Sequence, residues 1–147
     1  MAPGLPFGAE AEVIKPMAMA ALEYAAKDWW VFPAPPGEKK SHKSEKISGT
    51  KWGMTKDPEE IKKDFRRWRD ANVAIVTGAK SGIFVIEADT PKGHGVDGLT
   101  SIKNLEAEHG PLPDTLMAIS PSGSIHRYYR HPGADIYIKT FAAMAAW

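Results

Sequence analysis

Residues 73–89 read VAIVTGAKSGIFVIEAD. Two apolar, β-branched runs, Val73 to Val76 and Ile83 to Ile86, flank Thr77-Gly78 and the turn Ala79-Lys80-Ser81-Gly82. Short apolar runs bounded by glycine read as buried strands, and the tight turn between them predicts a hairpin in the centre of a sheet. The second run ends in Glu87-Ala88-Asp89. Alternation along a strand puts residues two apart on one face, so both carboxylates are aimed together. Like charges this close repel, and a divalent cation is the usual relief, with oxygen ligands suiting Mg2+ or Mn2+. The same pair also reads as ordinary strand-end chemistry, with one acid in solvent or capping the next loop.

Upstream, Pro16 suits a first helical turn, and MAMAALEYAAK (Met17 to Lys27) is dense in strong helix formers. WWVF (Trp29 to Phe32) reads as a strand ended by Pro33, Pro35 and Pro36. From Gly37 to Lys56 there is no hydrophobic period, and six lysines stand against two glutamates. A polar loop this long is either a solvated face or a functional segment. Thr55-Lys56-Asp57-Pro58-Glu59-Glu60 is a helix start with Asp57 or Thr55 as cap, with Ile61, Phe65 and Trp68 on one face and basic residues over much of the rest. Residues 1–15 carry Pro3, Gly4 and Pro6 without apolar period and read as a flexible arm, leaving 16–147 as a single domain.

Downstream, Thr90 to Gly95 reads as a flexible loop and Gly98 to His109 as a helix stopped by Gly110 in the left-handed conformation and by Pro111. Leu116 to Ile119 and Ile125 to Tyr129 are strands joined by the turn Ser120 to Ser124, and Asp135 to Ile138 begins like another. The turn delivers His126 into a strand, and alternation groups Ser124, His126 and Tyr128, with Arg127 and Arg130 nearby to complement phosphate. A lone histidine is also a common structural residue. The order of elements is mixed α/β with partly antiparallel strands.

At 147 residues, 43% hydrophobic and 25% charged, the composition is that of one globular domain. A net charge of +1 does not announce a nucleic-acid binder, but it conceals a split. Residues 37–70 hold eleven basic against seven acidic side chains, whereas 84–114 hold two against six. The absence of cysteine excludes disulfides and thiolate metal sites. No apolar run approaches the ~18 residues of a membrane span and no secretory signal opens the chain, so a cytoplasmic setting is expected.

The collinear order of WVFP, the lysine-bearing stretch, TKDPEEIKKDFRRWRDANVAIVTG, SGIFVIEAD, VDGLTSIKNLEAEHGPLPDTL and SPSGSIHRYYR resembles the bifunctional DNA primase/polymerase amino-terminal domain. This is the prim-pol branch of the archaeo-eukaryotic primases of plasmid, phage and prophage replication, and the likeness runs over about residues 17 to 131. It implies an α/β (α+β) prim-pol fold, with a mixed, largely antiparallel sheet, flanking helices and an RRM-like catalytic half. It further implies metal-dependent nucleotidyl transfer with Mg2+ or Mn2+ on nucleoside triphosphates and a single-stranded or primed DNA template, with a replicative helicase as candidate partner and no membrane role. The family's acidic motif falls on Glu87 and Asp89, with glutamate where the first aspartate is usual. Its Ser-x-His motif falls on Ser124 and His126, the imidazole contacting nucleotide phosphates, and Arg130 and Lys40 are further phosphate or template contacts. Counting from His126 puts the family's third metal-binding carboxylate just past Trp147, so the domain is expected to be truncated there, and Asp135 is the candidate within the chain. Two other readings stand beside this one: a degenerate relative that binds nucleic acid without polymerase activity, and an unrelated metal-dependent phosphoesterase built on Glu87, Asp89, His94, His109 and His126.

Overall fold

A computed structural model of the chain describes residues 15–139, so almost all of the expected N-terminal arm and all of residues 140–147 lie outside the described residues. The chain forms two compact units, divided after Ile75. Together their elements make a mixed α/β protein with antiparallel sheets, as the sequence predicts.

The first unit holds helix α1 (Pro16–Ala26), strand β1 (Val31–Ala34), the short helix α2 (Glu45–Ser48), a 3-10 turn (Lys51–Gly53), helix α3 (Pro58–Arg67) and strand β2 (Asn72–Ile75). Helix α1 buries a stripe of small residues, Ala18, Ala21 and Ala25, which lets Ile61 and Phe65 of α3 pack closely with Val31 and Ala71 in one core. Asp57 caps α3, its side chain accepting from the Glu59 N–H at 3.1 Å, while acids in the first turn and Arg66 and Arg67 in the last complement the helix dipole.

Strand β1 runs through Pro33, where the sequence places its end. Val31 exchanges both backbone hydrogen bonds with Thr55, at 3.0 and 2.9 Å. Alternation therefore turns the Phe32 groups toward β2 and the missing N–H of Pro33 away from it, so the β1–β2 ladder loses no bond. The polar stretch 37–56 also holds more regular structure than its composition suggests, namely α2 and the 3-10 turn.

The second unit contains strand β3 (Ile83–Ala88), the one-turn helix α4 (Pro91–His94), helix α5 (Gly98–His109), and strands β4 (Leu116–Ile119) and β5 (Ile125–Arg130). Its sheet is antiparallel in the order β3-β5-β4, with α5 packed on β3. The β4–β5 hairpin forms as expected, closed by Ser120 N–H to Ser124 O at 2.9 Å and by Gly123 at φ +87°.

The predicted hairpin of Val73–Val76 with Ile83–Ile86 does not form. β2 pairs with β1 and β3 pairs with β5, leaving only an isolated bridge between Gly78 and Ile83. Three smaller expectations also change. Thr90 to Gly95 is built around α4, Gly110 keeps a positive φ of 94° but at ψ 163° falls outside the left-handed helical region, and residues 135–138 form no strand.

Candidate active site

The site is assembled on the end of β3 and the start of β5. Their register sets Glu87 directly opposite His126 and Ala88 opposite Ile125, and Asp89 and Ser124 continue the sequence one step further. Ala88 is buried, which fixes that face inward and turns Glu87 and Asp89 to the other. Each acid then meets one residue of the Ser-Ile-His sequence. His126 Nε2 lies 3.1 Å from Glu87 Oε1, and the buried Ser124 hydroxyl donates to Asp89 Oδ1 at 3.1 Å. A chain of hydroxyls backs Ser124, with Ser122 Oγ at 3.4 Å and Ser120 Oγ 2.9 Å beyond that.

The segment after Asp89 is fixed at several points. Thr90 caps α4, and its hydroxyl donates to Ser122 O at 2.7 Å. Gly93 lies so near the serine turn that a Cβ there would sit 2.8 Å from Ser122 Oγ. One turn along, His94 Nε2 comes to 3.7 Å from Asp89 Oδ1. Ligand atoms of Glu87, Asp89 and His94 all lie within 4.8 Å of one another. Asp97 then caps α5 through the Thr100 side chain and N–H, and these hydrogen bonds hold its carboxyl below the usual range. The Gly98 N–H donates to Asp89 O at 2.8 Å, and Gly98 touches the Asp89 backbone so closely that a Cβ would lie 2.6 Å from Asp89 N.

The remaining candidates take no part in these contacts. Arg130 ends β5, exposed and paired with Ile83, on the face that carries Ser124 and His126 by alternation, about 13 Å along the strand from His126. Arg127, next to His126 in β5, takes the opposite face by alternation. Asp135 is exposed on a turn after β5 and is not part of the Glu87, Asp89, His94 group. His109 lies 3.6 Å from Glu108 at the exposed end of α5, outside that group. Lys40, in the first unit, pairs with Glu38 at 2.5 Å on the surface.

In the sequence, His94 belongs only to the phosphoesterase alternative, and no helical or short-range spacing brings the histidines together. The available signal is Thr90-Pro91 followed by His94-Gly95: a cap, a first-turn proline and a glycine at φ +71°, which together make one helical turn.

In the first unit the lysines divide into two kinds. Lys43 is partly buried, with its side chain largely covered and its Nζ 2.7 Å from both Glu60 Oε1 and Asp64 Oδ2 on α3. Burial opposes its charge, but hydrogen bonds to Asp64 and Glu60 outweigh that and raise its pKa. Burial likewise opposes the Glu60 carboxylate, which the Lys43 and Thr55 hydrogen bonds nonetheless hold below its usual range. For Asp64 burial wins over Lys43, and its pKa goes up. His42 stacks on Trp68 at 5.2 Å, and Trp52 holds φ +57° with Lys51 Nζ 4.6 Å from its ring. Lys39, Lys40, Lys46 and Lys51 are exposed.

Fold and donor set together define a class: a mixed α/β protein in which two carboxylates at the end of a strand of an antiparallel sheet lie beside an imidazole, donors of the type that hold a hard or borderline divalent cation. The family described as bifunctional DNA primase/polymerase, N-terminal, matches residues 21–144, and the chain belongs to that family. It is thus a primase/polymerase-like domain, of a family that depends in general on divalent metal and acts on DNA and nucleotides. Comparisons with curated proteins and with solved structures return no match. No helix among the described residues is long and apolar enough to cross a membrane.

Proposed function

We propose that the second unit carries the nucleotidyl-transfer site of a DNA primase/polymerase acting in plasmid, phage or prophage replication. Glu87 and Asp89 hold the divalent cation, Mg2+ or Mn2+. A cation bound there supplies the positive charge that activates a primer 3′-hydroxyl and stabilises the leaving pyrophosphate. His126 and Ser124 bind the phosphates of the incoming nucleotide, and Arg130 offers a guanidinium for a further phosphate oxygen. Hydrogen bonding to the two acids orients both side chains before the nucleotide arrives, which lowers the entropy cost of productive binding. The exposed lysines of the first unit, Lys40 among them, contact template phosphates.

The observation that carries this reading is the pair of cross-strand partnerships, Glu87 with His126 and Asp89 with Ser124, in which an acid for the cation and a donor for phosphate occupy adjacent rungs. The test is incorporation of labelled dNTP into a primed template with Mg2+ or Mn2+. The wild type extends the primer and Asp89→Ala abolishes extension, whereas incorporation that survives Asp89→Ala refutes the assignment. A second reading, a DNA-binding module without polymerase activity, draws support from the placement of Asp135 outside the donor group. Under that reading the same assay gives no extension while salt-sensitive binding to single-stranded DNA persists.

A further inference from the structure

We propose that the imidazole of His94 is the third protein ligand of the divalent cation, giving an O,O,N donor set with Glu87 and Asp89. The inference rests on the reading of those two acids given above and extends it to a residue supplied by the segment after β3.

Three observations carry it. First, the contact between His94 and Asp89 is the wrong length for a hydrogen bond and a suitable length for a shared ion. At 3.7 Å, Nε2 and Oδ1 are beyond hydrogen-bond range, unlike His126 and Glu87 at 3.1 Å. Two donors bound to one ion at ~2.1 Å stand between ~3.0 Å apart when adjacent and ~4.2 Å apart when opposite, an interval that includes 3.7 Å. The ligand atoms of all three residues lie within 4.8 Å of one another, close to that interval. Second, the placement of His94 is built. Thr90 caps the turn and bonds Ser122, Gly93 abuts the serine turn, and the Gly95 N–H closes α4 on Pro91 O at 3.0 Å. These fixtures hold α4 to the same turn that holds Ser124 against Asp89. Third, the set is open to solvent. The His94 side chain is 51% exposed and that of Asp89 27%, so a hydrated ion can enter and keep water at its remaining positions.

The experiment uses the full chain without a histidine tag and Mn2+ as probe, counting free Mn2+ by EPR and detecting nitrogen coupling to the bound ion by pulsed EPR. The wild type is expected to bind Mn2+ with a 14N coupling. His94→Ala and His94→Gln lose that coupling and weaken binding by at least about tenfold, with an unchanged circular dichroism spectrum. His126→Ala keeps the coupling, and Asp89→Asn loses binding. A 14N coupling that survives both His94 substitutions, or Mn2+ affinity unchanged by them, overturns the proposal; loss of binding in Asp89→Asn then leaves the carboxylate reading standing. Equal Mn2+ binding by wild type and Asp89→Asn refutes the carboxylate reading and this proposal together.

Discussion

Gly98→Ala sets two effects of opposite sign against each other. Glycine-to-alanine exchange in a helix ordinarily favours the folded state by up to about 1 kcal/mol, and Gly98 opens α5. Here the added Cβ would sit 2.6 Å from Asp89 N and 2.9 Å from Asp89 O, where ordinary contact begins at 3.4 Å, and these are backbone atoms that cannot rotate aside. The start of α5 must retreat by about 0.8 Å, which would stretch the Gly98 N–H to Asp89 O bond from 2.8 Å past useful length. Overpacking costs about 1–3 kcal/mol and the broken hydrogen bond about 0.5–1.5 kcal/mol, so strain outweighs the propensity gain of about 1 kcal/mol and the net is a destabilisation of about 0.5–3.5 kcal/mol. The retreat also drags on the peptide that carries Asp89. Misplacement of this size costs about a hundredfold in a positioned reaction, so primer extension should fall by more than the stability loss explains. Urea unfolding and an extension assay under conditions where the variant stays folded would measure both. A Gly98→Ala variant as stable as wild type or more so, with unaltered extension, would refute the close-approach argument.

Lys43→Met removes the cation shared by Glu60 and Asp64 and should destabilise by about 3–5 kcal/mol in denaturant titration, with Lys43→Met/Asp64→Leu recovering part of the loss. The contribution of Lys43 is fully present below its ordinary value of 10.5 and is lost as pH rises through its raised folded-state value, so melting temperature should fall more steeply above pH 10.5 in wild type than in Lys43→Met. The depressed carboxyl of Glu60 stabilises above its ordinary 4.5 and loses that contribution as pH falls through its lowered value, so Glu60→Gln should flatten the acid limb of the same curve. Asp57→Ala removes the α3 cap and should cost about 1 kcal/mol in urea unfolding. Changing Lys39, Lys40 and Lys46 to Gln should lower affinity for single-stranded DNA and reduce the salt slope by about 0.7 for each phosphate no longer neutralised, and an unchanged slope would remove these lysines from the template surface.

The elements legible in the sequence are those that carry their own punctuation. Pro16 opens α1, Asp57-Pro58 opens α3, and the strands of the β4–β5 hairpin flank a turn rich in serine and glycine. The expected β2–β3 hairpin is absent because the partner of β2 lies some forty residues upstream, in a strand that contains Pro33, and a glycine turn between two apolar runs looks the same whether or not they pair. In the site, alternation is enough to group Glu87 with Asp89 and Ser124 with His126, but only register shows that each acid meets a member of the second pair. His94 stays hidden because four residues are too few to show a period. Lys43 stays hidden because, in a polar stretch, nothing local separates the lysine that folds inward from those beside it that stay in water.

The two short sequences that make the site are joined by one stretch of sheet, and their alignment has the tolerance of a zip fastener. Sliding β3 by one residue against β5 would turn Glu87 and Asp89 to the opposite side and separate each from its partner in a single step. Lengthening α5 or the connection to β4 leaves those rungs untouched. Divergence within this lineage should therefore accumulate insertions between Gly98 and Leu116, while single-residue insertions or deletions in Ile83–Ala88 or Ile125–Arg130 are purged, a pattern that selection on the chemistry of individual side chains would not by itself produce.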